Sequence, residues 1–203
     1  REAQKINPNV ILIAEPWGGG GYAPAEFSQH GWAAWNDQIR NGVKGQNLYD
    51  NLGFIFGEWF DFNSTETMQK YVLGYLAEDG GLFQDKRHSI NYLESHDDHT
   101  LGDFIRIGLG GSEIVKDVDK NARLSKTQLK LNKLGALFLF VCQGPVMIHS
   151  GQEWARSKVI APTDAADKHV GHIDHNSYNK DNETNWLNFE HADWNADLVD
   201  YYK

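Results

Sequence analysis

Residues 90–101 read INYLESHDDHTL, and this stretch decides the predicted fold. Apolar Ile90 and Tyr92 alternate with other residues at its start, and six polar or charged side chains follow from Glu94 to His99. This pattern is typical of a short buried strand whose carboxyl end opens into a loop. We therefore predict a strand here, with carboxylates and imidazoles gathered at its carboxyl end.

A second stretch has the same pattern. Residues 10–15 read VILIAE, an aliphatic run that ends in Glu15 and is followed by Pro16, Trp17 and four glycines. Acids at the carboxyl ends of parallel strands are what an α/β enzyme presents at its catalytic face. The glycines lack a following Gly-Lys-Ser/Thr, so we disfavour a phosphate loop and expect a substrate-facing loop without regular structure.

Predicted strands and helices alternate through the rest of the chain. Strands are predicted at residues 31–35 and 146–148, helices at residues 1–5, 64–76 and 125–141, and a polar, irregular segment at residues 40–51. Ser64 is the predicted N-cap of one helix, which Gly80-Gly81 should end, and Ser125 with Gln128 forms a capping box for another. The later part of that last helix is apolar on nearly all sides, so we expect it to be deeply covered. The alternation predicts an α/β fold with a parallel sheet, about half of a (β/α)8 barrel.

The composition narrows the possible functions. The 203 residues carry a net charge of −9, which repels phosphate backbones, so we expect no nucleic-acid partner. The aromatic share of 12% includes seven Trp and eight Tyr, whose flat faces suit sugar rings. The lone Cys142 lies in an apolar segment and has no partner for an internal disulfide. No apolar run is long enough to span a bilayer, so we expect no membrane partner, and the localisation stays open.

Glu15 and Asp97 are the candidate catalytic residues. We expect the indole of Trp17 to exclude water from Glu15 and to raise its pKa, as a proton donor requires. Asp97 lies among polar neighbours that favour its charged form. One neutral and one charged acid around a bond suit glycoside hydrolysis, whose transition state resembles an oxocarbenium ion. The alternative that both acids are helix caps or loop salt-bridge partners stays open on spacing alone.

At these residues the sequence resembles the α-amylase family of retaining glycoside hydrolases, in particular its pullulanase and isoamylase branch. Four blocks carry the resemblance in the family's order: ILIAEPWGGG (11–20), NYLESHDDHTL (91–101), GPVMIHSGQE (144–153) and NSYN (176–179). The first three are similar to the regions of the fifth, seventh and eighth strands. The resemblance implies a TIM barrel of which only the second half is present, so residues 1–203 form a partial catalytic domain that we expect to be truncated at both ends.

The resemblance also implies roles for individual residues. Glu15 would be the general acid/base, and Asp97 would orient the 2- and 3-hydroxyls of the sugar and stabilise its distorted ring. His96 would hydrogen-bond a hydroxyl of the same glucosyl unit. Trp17, Tyr22 and Tyr178 would stack on neighbouring rings. We expect Glu153 to anchor the loop after the last strand.

The sequence departs from the family pattern in two respects. Asp98 stands where the family usually has Asn, and its carboxylate either raises the pKa of a neighbour or faces solvent. The family's nucleophile is an aspartate of the fourth strand within an Arg-x-Asp motif, and no residue here matches it. Because a retaining mechanism needs that nucleophile about 5 Å from the acid, we expect the chain alone to be inactive.

We therefore expect a longer parent enzyme that hydrolyses α-glucosidic bonds in pullulan, glycogen or starch, with cleavage of α-1,6 branches favoured. A branching or transglycosylating enzyme and a non-catalytic glucan-binding fragment are the alternatives. The expected partners are an α-glucan and either the missing half of the barrel or a second copy of the chain. No cofactor is implied, although a structural calcium in the parent stays open.

Two further clusters resemble metal sites only weakly. His169, His172 and His175 recur at every third residue, but Gly171 disfavours the helix that would align them for zinc. Asp117 and Asp119 lack the glycine and terminal glutamate of a calcium loop. We predict no metal site.

Overall fold

The computed structural model describes residues 2–60, 62–164 and 166–203. Its helices are α1 Glu2–Ile6, α2 Pro24–Gln29, α3 Asp37–Val43, α4 Thr65–Val72, α5 Leu101–Gly108, α6 Val118–Ala122, α7 Lys126–Val141, α8 Glu190–Trp194 and α9 Ala196–Tyr202. Its strands are β1 Ile13–Ala14, β2 Trp17–Gly18, β3 Gly21–Tyr22, β4 Ala33–Trp35, β5 Gly45–Asn47, β6 Asn51–Leu52 and β7 Ser89–Ile90. Short 3-10 helices lie at Phe54–Phe56, Ala77–Asp79, Lys86–His88 and Gln152–Trp154.

A parallel sheet of three short strands organises the molecule. The order is β1-β4-β7, with Ile13 opposite Ala33 and Trp35 opposite Ile90. Just after β7, Asn91 forms a parallel bridge to Val146, which extends the same direction to a fourth segment. The predicted parallel sheet with intervening helices is confirmed, and all four segments end at the same edge.

The first strand is shorter and more exposed than the aliphatic run at residues 10–15 suggests. Only Ile13 and Ala14 pair, and Ile11 and Ile13 are 50% and 44% exposed. Among the described residues, β1 pairs only with β4 and is therefore an edge strand of the sheet. The aliphatic run that contains it is typical of a buried strand but remains partly open to solvent here.

Two segments predicted to be irregular are ordered. The polar segment at residues 40–51 contains the end of α3, strand β5 and the start of β6. Asn36 caps α3 by accepting from the Ile39 amide at 3.2 Å, and Ile39 and Val43 are buried. The glycine-rich loop contains the hairpin of β2 and β3, in which Trp17 pairs with Tyr22. Gly21 adopts a φ of +91°, which glycine reaches without strain.

The two predicted helix caps are confirmed, but the predicted end of α4 and the predicted burial of the end of α7 are wrong. Ser64 accepts from the Thr67 amide at 3.2 Å, but α4 ends at Val72, well before Gly80-Gly81. Ser125 and Gln128 form the capping box of α7. The end of α7 is not deeply covered within the described residues: Leu137, Phe140 and Val141 are exposed.

The core lies between the sheet and helices α3, α4, α5 and α7. It consists of Ile39, Val43, Ile55, Met68, Tyr71, Leu93, Leu101, Ile105, Phe138, Leu139 and Cys142. Among the described residues, no helix combines the length and the apolar character needed to cross a membrane.

Candidate active site

The parallel arrangement brings polar side chains from distant parts of the chain to one edge. Glu15 follows β1, Asp37 follows β4, Asp97 follows β7, and His149 follows the segment that Val146 begins. Because parallel strands share their carboxyl edge, these four side chains converge there.

A cavity of about 210 Å³ opens at this edge. Its wall consists of Glu15, Trp17, Trp35, Asp37, Arg40, Tyr92, Ser95, His96, Asp97, Met147 and His149. Four of the predicted site residues, Glu15, Trp17, His96 and Asp97, therefore share one cavity, although Glu15 and Asp97 are far apart in the sequence.

The predicted site residues are open to solvent. Asp97 has a side chain that is 54% exposed, and Trp17 is 56% exposed. Glu15 is also exposed, so the described residues do not form the dry surroundings that we expected for a proton donor. Exposed aromatic and carboxylate groups around one cavity are suited to contact a hydroxyl-rich ligand.

Asp37, which is almost fully buried, fixes the aromatic wall. Its carboxylate accepts from Trp17 Nε1 at 3.2 Å, from the Tyr92 hydroxyl at 2.6 Å and from Arg40 Nη2 at 3.3 Å. Burial, together with the Asp37 carboxylate, raises the pKa of Tyr92, so its hydroxyl keeps its proton. These bonds hold the Trp17 indole in one orientation at the cavity.

The two other predicted stacking residues lie behind or beside this wall. Tyr22 packs on Trp17 with ring centroids 5.1 Å apart, and its hydroxyl donates to the Trp35 carbonyl at 2.9 Å and accepts from the Asp37 amide at 3.0 Å. Tyr178 is exposed, with its ring centroid 6.3 Å from that of His96. Tyr22 thus supports Trp17 from behind, whereas Tyr178 is exposed beside His96.

The loop that carries His96 and Asp97 is held by local and distant contacts. The Asp97 amide donates to Ser95 Oγ at 3.3 Å, and Asp97 forms an antiparallel bridge with Asn176. His96 Nε2 lies 3.4 Å from Asp97 Oδ1, a distance that allows an ion pair when the imidazole is protonated.

Buried charged side chains lie beneath this loop. Glu94 is fully buried and accepts from the Leu101 amide at 2.5 Å and contacts His149 Nδ1 at 3.1 Å. Lys158 is also fully buried, and its ammonium donates to the carbonyl oxygens of His96 at 3.0 Å and Asp98 at 2.9 Å. Burial lowers the pKa of Lys158, and burial lowers the pKa of Lys44 to about 8.

The three histidines considered as zinc ligands do not form one cluster. His169 and His172 have ring centroids 5.4 Å apart, while His175 lies beside His99, with centroids 6.0 Å apart. The described part of the chain contains no group of three or more His, Cys, Asp or Glu side chains arranged to hold a metal ion. Glu153 accepts from the Gly151 amide at 3.0 Å, in keeping with an anchoring role.

Sequence reasoning missed several residues of this site. Asp37 follows a strand as Glu15 and Asp97 do, so the same rule applied to residues 31–35 would have found it. Arg40 and Tyr92 are recognisable only through their bonds to Asp37 and to each other, the latter at 3.0 Å. Lys158 carried no signal, because a lysine in a polar segment is normally exposed.

Comparison with known proteins yields one group of relatives, although no protein-family model matches the chain. Pullulanase A of Streptococcus pneumoniae serotype 2 is 30% identical in an alignment 172 residues long, which covers 78% of this chain and 13% of that protein. Pullulanase of Bacillus subtilis is 29% identical in an alignment 171 residues long, which covers 77% of this chain and 21% of that protein. Isoamylase 1 of Arabidopsis thaliana chloroplasts is 28% identical in an alignment 172 residues long, which covers 73% of this chain and 20% of that protein.

Solved structures agree with the sequence relatives. The pullulanase of Bacillus acidopullulyticus superposes with a TM-score of 0.74 at 27% identity, over 99% of this chain and 22% of that one. The pullulanase of Paenibacillus barengoltzii in complex with maltohexaose and α-cyclodextrin gives a TM-score of 0.71 at 26% identity, over 100% of this chain and 29% of that one.

The chain thus spans less than a third of the length of each of these relatives. Similarity in sequence and in fold nevertheless points to the same group, and the structural superpositions cover 99% and 100% of this chain. By both measures, the chain resembles the pullulanases and isoamylases, which are debranching glycoside hydrolases.

Proposed function

We propose that the chain supplies one side of the catalytic cleft of a glycoside hydrolase that debranches α-glucans. The observation that carries the proposal is the cavity shared by Glu15, Asp97 and Trp17 at the carboxyl edge of a parallel sheet. Acids and an exposed indole around one opening suit a sugar ring and the protonation of its glycosidic oxygen. The relative from Paenibacillus barengoltzii was crystallised with maltohexaose and α-cyclodextrin, which supports an α-glucan as the ligand class.

In this proposal each residue has a distinct task. Glu15 donates a proton to the leaving oxygen and later takes one from water. Asp97 stabilises the positive charge that develops on the sugar ring, and His96 beside it hydrogen-bonds a hydroxyl of that ring. Trp17 offers its face to a neighbouring ring, backed by Tyr22, and Tyr178 extends the aromatic surface. The nucleophile comes from a part of the parent protein outside these residues.

We also propose that the sheet is the second half of a closed (β/α)8 barrel. The parallel order β1-β4-β7 continues to Val146, and helices connect the strands. The exposed aliphatic residues of β1 would then pack against the preceding strands of the parent. A catalytic cleft completed from both halves accounts for a site that is open to solvent here.

The test uses the longer parent polypeptide that contains this chain, with pullulan as substrate. We expect Glu15→Gln to remove hydrolysis almost completely while maltohexaose binding stays close to that of the unchanged protein, because the amide keeps the shape and loses the proton. The amide substitution Gln4→Asn in exposed α1 is the matched control and should leave the rate unchanged.

The results separate the alternative functions. Maltohexaose binding without any turnover by the unchanged parent would overturn the hydrolase and favour a glucan-binding protein. Transfer of glucan chains to an acceptor in place of release of reducing ends would favour a branching or transglycosylating enzyme. Full activity of Glu15→Gln would remove Glu15 from the mechanism.

A further inference from the structure

A fully buried lysine lies beneath the loop that carries the proposed site residues His96 and Asp97. The ammonium of Lys158 donates to the carbonyl oxygens of His96 and Asp98, the residues on either side of Asp97. We propose that Lys158 is a positioning residue that sets the orientation of Asp97 in the cleft, an inference that rests on the proposed function. The contact acts through the backbone on both sides of Asp97.

Lys158 is itself held firmly, as an anchor must be. Its amide donates to Asp103 Oδ2 at 2.8 Å, and its carbonyl accepts from the Asp174 amide at 2.7 Å. Asp103 is fully buried and receives further bonds from Ser157 Oγ at 2.6 Å and from Arg106 Nη1 at 3.2 Å. The ammonium therefore extends from a fixed piece of backbone.

The loop needs such an anchor because of its conformation. Asp98 has a φ of +60°, in the left-handed region that L-residues seldom occupy. A conformation of this kind persists only where surrounding contacts hold it. Ser95 Oγ contacts the Asp97 amide at 3.3 Å and the Asp97 carbonyl at 3.5 Å, Asp97 bridges Asn176, and the Asp98 carboxylate lies 3.7 Å from Arg40 Nη1. The ammonium of Lys158 adds two bonds from beneath, to the backbone carbonyls on either side of Asp97.

Removing the ammonium leaves two carbonyl oxygens without their donor, and we expect the loop to relax. A misplacement of about 1 Å costs on the order of 100-fold in rate. Substrate cannot reach Lys158, because the side chain is fully buried, so the effect should fall on kcat more than on KM.

The test compares two lysine-to-methionine variants in the parent polypeptide, with pullulan hydrolysis and unfolding temperature measured for each. Lys158→Met should lower kcat roughly 10- to 100-fold, with KM within about threefold. Lys44→Met is the matched control: Lys44 is equally buried, but its ammonium donates to the carbonyl of His99, just before the N-cap of α5, at 3.3 Å. It should change kcat by less than about threefold, and the unfolding temperatures show whether both variants are folded at the assay temperature.

Equal losses of kcat in both variants, or a rise in KM at constant kcat for Lys158→Met, would overturn the proposal. If Lys158→Met does not fold, Lys158→Gln, whose amide is too short to reach both carbonyls, is judged by the same criteria. If the unchanged parent has no hydrolytic activity, the proposed function fails, and amide hydrogen exchange at residues 96–98, which Lys158 contacts and Lys44 does not, then tests the anchoring alone. Faster exchange in Lys158→Met than in Lys44→Met supports the anchor, and equal exchange overturns it.

Discussion

Asp98 has a backbone in the left-handed conformation, which aspartate tolerates better than most residues do. Asp and Asn visit this region more readily than other residues with a Cβ, which gives a physical reason for an Asp where the resembling family usually has Asn. The Asp98 carboxylate also lies 3.7 Å from Arg40 Nη1, so its charge faces a cation instead of solvent alone. The same cation contacts Asp37, and one guanidinium thereby links two of the polar segments at the site.

Lys44 gives a pH-dependent prediction at the scale of one residue. Burial lowers its pKa from 10.5 to about 8 in the folded protein. Between pH 8 and about 10, the unfolded chain holds this proton and the folded protein does not, so the free energy of unfolding should rise with pH. We expect a contribution of roughly 1 kcal/mol per pH unit, because one pKa unit corresponds to about 1.4 kcal/mol.

Chemical denaturation at several pH values between 8 and 10 measures this slope. Lys44→Met should flatten the rise, whereas the exposed Lys5→Met should keep it. Identical slopes in the unchanged protein and in Lys44→Met would show that Lys44 does not titrate in this range. The pH range of this rise ends near pH 10 because of three buried tyrosines, Tyr22, Tyr71 and Tyr92. Burial raises their pKa values in the folded protein, so above about pH 10 they ionise in the unfolded chain first, and the free energy of unfolding falls.

At the scale of elements, the caps decide where helices begin, and packing decides where they end. The capping box of Ser125 and Gln128 starts α7 as its local sequence predicts. α4 ends at Val72 because Gly74 and Tyr75, with φ values of +98° and +53°, turn the chain away from the helix. That turn depends on contacts with distant segments, such as the Gln143 amide bonded to the Val72 carbonyl at 2.9 Å.

Removal of the α7 cap is the prediction at this scale. Ser125→Ala should lower the free energy of unfolding by about 1 kcal/mol, because the Gln128 amide loses its acceptor. Urea denaturation measures the change. The adjacent exposed Lys126→Ala is the control and should stay within about 0.5 kcal/mol of the unchanged protein. A loss of the same size in both variants would argue against the cap.

At the scale of the whole molecule, the sheet leaves apolar groups open at both of its sides. Ile13 in β1 and Ile11 just before it are exposed, and so are Val146 and Ile148 in the segment that follows β7 in the sheet. Unpaired strand edges with apolar side chains favour pairing with another chain. We therefore expect the isolated 203-residue chain to self-associate.

Sedimentation of the isolated chain over a range of concentrations tests this expectation. Ile13→Lys should weaken association, because a charge on the β1 edge opposes pairing. Leu109→Lys, at an exposed apolar position outside the sheet, should leave association as it is. A monodisperse, folded monomer at all concentrations would contradict both the open edges and the half-barrel proposal.

The amino-acid sequence by itself determined the features that depend on neighbouring residues. Apolar runs ending in acids identified Glu15 and Asp97 as candidates, and cap residues identified the starts of α4 and α7. These signals are local, since a strand or a helix start needs only a few consecutive residues. The alternation of strands and helices also predicted the parallel sheet.

Only the tertiary structure decided which residues support that site. The bond from Lys158 to the His96 carbonyl joins residues 62 positions apart, and the bond from Tyr92 to Asp37 joins residues 55 apart. A buried lysine or aspartate contradicts the usual preference for the surface, so its role follows only from the partners that folding brings to it. Burial and long-range hydrogen bonding are properties of the packed chain, which is why no local pattern predicts them.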